Sequence, residues 1–258
     1  GIATGPSDYI FRLNLVTTGL PATTDAGRML DHSAGAITDR EARVLVSELL
    51  EFWRRREPEM AKGITIYPGV SYRNIMVDAS GRDYRSVIAT PPHGIPGEIW
   101  KDHLPRGSGH EPAVLRRLME LSTEFLPKHE INTVRAEQGL RTANMAWIWG
   151  HGLRPTVPTF RDRFGLEGAM ITSVDLLAGI SAYIGWRRIH VPGLTSYHDT
   201  DYAAQGRATC NAIDDFDIVC CHVESPDEAS HQGDWKTKTA SLESIDENIV
   251  GPIVRKLE

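Results

Sequence analysis

The sequence predicts an α/β protein whose second half carries a parallel sheet with helices on both faces. Three observations lead there. Beyond Met145, short apolar runs alternate with helix-spaced segments, the order of repeated strand–helix–strand units. Before Met145, strand pairs joined by tight turns stand beside a long amphipathic helix, which reads as a separate α+β unit. The chain has 258 residues, 41% hydrophobic and 24% charged, enough to bury a sizeable core as one large or two small domains.

In chain order, residues 9–18, "YIFRLNLVTT", alternate and are rich in strand formers. From Thr38, "TDRE" forms a capping box, and Ala42, Leu45, Val46, Leu49, Leu50 and Trp53 then fall at helical spacing. "GITIYPGVSYRNIMVD" reads as strand, Pro-Gly turn, strand, and "SVIATPPHGIPG" as a short strand entering a stiff loop. Residues 111–126 read as a helix, and 129–144 are polar and weakly patterned. "MAWIWG" then opens the second texture. It is followed by a helix near 159–164, the strand "GAMIT", a helix over 173–184 and a strand near "RRIHV". A helix near 201–213, the strand "FDIVCCHV" and a last helix beyond Gly233 complete the order. The change of texture places a domain boundary near 144.

The formal charge of −6 and the absence of a basic stripe argue against a nucleic-acid partner. Three cysteines make no disulfide framework and suit a reducing, cytoplasmic setting. No apolar run is long enough to span a bilayer, so no membrane role is expected. "GxxxxGK[ST]", "GxGxxG" and "GxSxG" are all missing.

In "SPDEASHQGD", Asp227 and His231 are four apart and share one helix face directly after an apolar strand. Open α/β sheets place ligands at that end of a strand. A carboxylate with an imidazole suits Zn, Mn or Fe, although a helix cap and a surface histidine have the same spacing. His222 and Glu224 alternate out of the strand and can orient a ligand or sit satisfied in the core. In "YPGVSYR", Arg73 follows a Pro-Gly turn and can present its planar fork to a carboxylate or phosphate. His93 in "TPPH" is held on a stiff loop, and Arg12 in "FRLN" points from a strand to solvent, a pocket or a domain seam.

The ordered set "FRLNLVTT", "LDHSAGAIT", "YPGVSYRNIMV", "TPPHGIPG", "ANMAWIWGHG", "GAMITSVDLLAGI", "VPGLTSYHDTDY" and "HVESPDEASHQGD" resembles the archaeal-type cofactor-independent phosphoglycerate mutases of the alkaline phosphatase superfamily. The resemblance implies part of an alkaline-phosphatase-like parallel sheet with helices on both faces, plus an inserted α+β cap domain. Residues 1–143 would be the substrate-gripping cap, and 144–258 part of the metal-binding catalytic domain. It further implies interconversion of 3-phosphoglycerate and 2-phosphoglycerate through a phosphoserine. Two divalent metal ions would be needed, manganese first, with magnesium, cobalt or zinc as alternatives. Asp227 and His231 become ligands of one metal, and Arg73, His93, Arg12 and Arg135 of "INTVR" become substrate-binding residues.

The serine nucleophile and the remaining metal ligands of that family are expected outside residues 1–258, so these residues alone are expected to be an inactive internal fragment. Ala36, Gly94 and Ala178 stand where the family carries His, Asp and a basic residue. These departures keep two alternatives open: a metal-dependent phosphatase or phosphonate-acting relative, and a non-catalytic anion-binding domain.

Overall fold

The computed structural model describes residues 2–258, apart from the side chain of His231. The chain forms two compact units, Ile2–Pro155 and Thr156–Glu258. The division therefore lies later than the boundary expected after residue 143. The cause is "MAWIWGHG": an apolar run buried on both faces reads alike in a parallel core and in an inner antiparallel strand, and here it is the latter.

The first unit is built on strand β1 (Tyr9–Thr18). It pairs antiparallel with β4 (Arg73–Asp78) and β5 (Met145–Gly152), and at its carboxyl end with β2 (Met29–Asp31). Strand β3 (Ile64–Pro68) adds to the far side of β4. The β3–β4 turn needs glycine at its start, because a Cβ on Gly69 would lie 2.4 Å from the carbonyl oxygen of Arg73. Helix α1 (Asp39–Arg56) starts at the expected capping box between Thr38 and Glu41, and buries Ala42, Leu45, Val46, Leu49, Leu50 and Trp53, the face its spacing predicts. A short α2 (Pro58–Ala61) follows. Helix α3 (Glu111–Phe125) packs against β5 and α1. The weakly patterned stretch after residue 129 contains α4 (Glu130–Glu137), capped by the His129 ring, which accepts from the Ile131 N–H. Phe11, Leu13 and Leu15 of β1 join these helices in a single apolar core. The strand expected at "SVIAT" is only an isolated bridge between Ile88 and Arg106.

The second unit holds α5 (Phe160–Phe164) and a parallel sheet of β6 (Gly168–Ile171), β7 (Arg187–Arg188) and β8 (Ile218–Cys221) in the order β7-β6-β8. The chain leaves β6 through α6 (Asp175–Tyr183) to β7, and returns through α7 (Tyr202–Ala212) to β8 on the other side of β6. Crossovers between parallel strands are right-handed in nearly all proteins, and two that run in opposite directions place their helices on opposite faces of a sheet. Helices α8 (Ser225–His231), α9 (Trp235–Ile245) and α10 (Gly251–Leu257) follow, the last two joined by a π-helical turn over Asp246–Val250. No described helix is long and apolar enough to cross a membrane.

The end of β4 is fixed by a buried carboxylate. Asp78 accepts hydrogen bonds from the Ser80 N–H at 2.8 Å, Arg82 at 2.9 Å and the Tyr84 hydroxyl at 2.6 Å. Burial pushes its pKa up, but these donors outweigh burial and hold it below the ordinary aspartate value. A folded value below the unfolded one stabilises the fold above about pH 3.9, and this contribution is lost as pH falls through the folded value. Tyr84→Phe is expected to cost about 1–3 kcal/mol near neutral pH. The deficit should shrink on acidification as the carboxyl protonates in both states, which urea unfolding as a function of pH measures.

Candidate functional site

Strand parity builds the first unit's open face. Cross-strand partners share a face, and Arg12 is paired with Ile75 and Trp149 while Asn14 is paired with Arg73 and Trp147. Arg12, Asn14, Arg73 and Trp149 therefore project away from the core face of Phe11, Leu13 and Leu15. The Arg12 guanidinium lies 4.8 Å from the Trp149 ring centroid, and that of Arg73 lies 4.4 Å from the ring of Tyr72. Asn14, itself buried, accepts from the Trp149 indole N–H at 3.1 Å and donates to the carbonyl of His32 at 3.3 Å.

Two loops close over this face. The first follows β2 and carries His32, whose ring meets Tyr72 edge-on at 5.7 Å and His93 at 6.1 Å. The second carries His93 on one 3₁₀ turn, Pro92–Gly94, with its ring 5.4 Å from Trp149. Trp147 anchors that loop by donating to the Thr90 carbonyl at 2.8 Å. Four groups that carry or can take positive charge thus converge: Arg12, Arg73, His32 and His93.

The carboxylate beside them, Asp31, is turned back on its own loop, accepting from Ser33 and from the Gly35 N–H. Burial raises the Asp31 pKa, but these donors more than reverse that and leave it low. Burial pushes the His32 imidazole below its ordinary value; Asp31 opposes the drop, and His93 and Arg73 reinforce it.

Backbone strain concentrates in the same place. Ala34, Ala36 and Ser71 are the non-glycine residues with positive φ among the described residues, at 50°, 50° and 55°. The first two lie in the His32 loop, and Ser71 precedes Tyr72 and Arg73. Ser71 fastens the two segments together, its N–H donating to Asp39 at 2.7 Å and its hydroxyl to the Ile37 carbonyl at 2.6 Å.

Of the four residues expected to bind substrate, the structure brings Arg12, Arg73 and His93 together and leaves Arg135 out. Arg135 is 4% exposed. Its guanidinium pairs with Glu41 at 2.9 Å and donates to the carbonyls of Ala34 and Arg141, so it braces the strained loop from behind. His32, Asn14 and Trp149 belong to the face although the sequence reading did not single them out as site residues. For Asn14 a signal was present: in "FRLN" it stands two positions from Arg12 and so shares its face.

In the second unit, polar groups gather at the carboxyl ends of β6 and β8. His222 meets the Thr172 hydroxyl and the Glu224 carboxylate, both at 3.2 Å, and Gln205 donates to the His222 carbonyl at 2.8 Å. Helix α8 starts here, with the Ser225 hydroxyl 2.8 Å from that of Tyr202. Asp227 lies exposed in its first turn, and His231 is one turn further on the same helix. The His231 side chain, expected as a metal ligand, lies outside the described residues. Asp227 offers a hard oxygen suited to a divalent cation. Among the described residues no group of three or more His, Cys, Asp or Glu could hold a metal ion, so those residues do not complete a metal site.

The profile of the family described as 2,3-bisphosphoglycerate-independent phosphoglycerate mutase matches residues 1–132, just over half of the chain. The chain belongs to this family. The mutases so named from Methanothrix thermoacetophila and Methanothermobacter thermautotrophicus are each 42% identical to it over 100% of its length. It covers 61% and 60% of those two relatives. Among solved structures, the PH0037 protein from Pyrococcus horikoshii superposes with a TM-score of 0.65 at 18% identity, over 99% of this chain and 57% of that one. The cofactor-independent phosphoglycerate mutase from Thermoplasma acidophilum gives 0.51 at 20%, over 94% of this chain and 60% of that one. At such identities the likeness is one of fold, and it agrees with the mixed α/β architecture.

Of the three positions expected to depart from the mutase family's pattern, Ala36 and Gly94 lie in the loops over the basic face. Ala36 is exposed with positive φ, and a Cβ on Gly94 would meet nothing within 4 Å. Ala178 is buried in α6. A left-handed alanine costs about 1–2 kcal/mol, of which glycine's extra chain entropy offsets about half. Ala36→Gly is therefore expected to stabilise the first unit by about 0.5 kcal/mol, seen as a higher denaturant midpoint at unchanged slope.

Proposed function

We propose that the protein takes part in the interconversion of 3-phosphoglycerate and 2-phosphoglycerate, with Ile2–Pro155 gripping the glycerate and Thr156–Glu258 contributing to the metal-binding catalytic unit. The observation that carries the reading is the convergence of Arg12, Arg73, His93 and His32 on one face whose neighbouring carboxylate, Asp31, is engaged elsewhere. Such a face suits a small ligand with a carboxylate and a phosphate. Arg73, at the tip of β4 and stacked on Tyr72, presents the fork that holds one anionic group, and Arg12, resting on Trp149, holds the other. Fixed in this way, the glycerate stays oriented while its phosphoryl group moves between two oxygens.

The chain spans about 61% of the length of the Methanothrix thermoacetophila relative. The reading assigns the transiently phosphorylated serine and the remaining metal ligands to the part of the longer relatives without a counterpart here. Asp227 and His231 supply two ligands of one of two divalent cations, with manganese the expected ion. Bound there, the pair of cations would stabilise charge on the transferring phosphoryl group. A second reading, hydrolysis of a phosphate ester or action on a phosphonate, is favoured by one observation: Gly94, at a position where the resemblance leads one to expect an acid, leaves open space next to His93.

Turnover of 3-phosphoglycerate by the intact protein separates the two: formation of 2-phosphoglycerate without free phosphate supports the mutase, and net phosphate release supports the hydrolase. Arg73→Ala is expected to lower kcat/KM about 10- to 100-fold, the worth of one charged hydrogen bond. Chelation should abolish turnover and manganese restore it. Manganese should also raise the Tm of the wild-type protein and raise that of Asp227→Ala less, as binding to the folded state requires.

A further inference from the structure

We propose that His32 is a further binding residue of the basic face, and that its imidazole takes up a proton as a phosphate monoester enters. The inference rests on the anion reading of that face. Its support is geometric. His32 sits between Tyr72 at 5.7 Å and His93 at 6.1 Å, centroid to centroid, on the side to which Arg73 also turns. Its backbone is tethered by Asn14, and neither of its ring nitrogens has a hydrogen-bond partner among the described residues. The residue before it, Asp31, directs its carboxylate to Ser33 and Gly35.

The groups facing His32 are therefore Asp31 from its own loop, Tyr72 and Arg73 from the β3–β4 turn and β4, and His93 from the 3₁₀ turn. In the free protein, burial holds this ring below the ordinary imidazole value; Asp31 opposes the drop, and His93 and Arg73 add to it. A dianion placed against the face reverses the balance, because it adds negative charge beside a ring whose nitrogens are available to donate. The proton comes from solvent and ends on the imidazole, which then donates to a phosphate oxygen. No covalent bond changes.

Titration calorimetry of the intact protein with 3-phosphoglycerate, near pH 7 in buffers of different ionisation enthalpy, counts the protons. A phosphate monoester entering a cationic site sheds its residual proton, so net uptake has to come from the protein. Uptake of up to about one proton is expected, with affinity falling by up to about tenfold per pH unit as the medium becomes more alkaline. His32→Gln should remove both the uptake and the pH dependence. In case that variant folds poorly, the carbon-bound imidazole proton of His32, followed by NMR in the wild-type protein, should titrate at higher pH with 3-phosphoglycerate than without it.

Uptake that persists in His32→Gln, or a titration midpoint that the ligand does not move, overturns the assignment and leaves the anion reading standing. Failure of 3-phosphoglycerate to bind at all overturns both.

Discussion

Strand β1 is hydrogen-bonded along both edges over most of its length, and a strand held that way cannot slip by one residue without turning every side chain to the opposite face. Phe11, Leu13 and Leu15 are fully buried against the helices, which locks the parity. Once it is locked, Arg12 and Asn14 have to face the other way, and the registers of β4 and β5 bring Arg73 and Trp149 beside them. The basic face is thus a by-product of core packing on the reverse side of the same sheet. Its two arginines are placed by strand register and need no long loop to deliver them.

What the sheet cannot set, the strained His32 loop and the strained β3–β4 turn help to fix. A left-handed conformation at Ala34, Ala36 and Ser71 persists because the surroundings over-determine it. Asp31 gathers the loop amides, Arg135 grips the Ala34 carbonyl from the buried side, and Ser71 ties the loop to the β3–β4 turn. The Glu41 carboxylate that caps α1 also pairs with Arg135, so the helix start and the loop share one set of hydrogen bonds.

Much of this was legible in the sequence where the signal is local. The capping box, the helical stripe of α1, the Pro-Gly turn and the alternation in "FRLNLV" each depend on residues close together in the chain. For Arg12, Arg73 and His93 the local signal is weak, since an arginine on a strand or after a turn and a histidine on a stiff loop are commonly just solvated; the family resemblance singled them out. Long-range pairing was not legible. "MAWIWG" carries no mark of which sheet it joins, so its partnership with β1, and with it the division between the units, came only from the structure. The burial of Arg135 was not legible, because α4 is too short and too weakly amphipathic to declare which side faces inward. His32 went unnoticed as a site residue because what sets it apart is its approach to His93, some sixty positions away, and no spacing rule links the two.

The two faces of β1 answer to different demands. Changes at Phe11, Leu13 or Leu15 are felt by every helix that covers the sheet, whereas Arg12 meets little beyond an indole ring and open space. The chemistry of the open face is therefore separable from the packing of the first unit. A lineage, or a laboratory selection, can change the charge and shape of that face by exchanging a few side chains at Arg12, Arg73 and His93. The scaffold beneath does not have to be solved again.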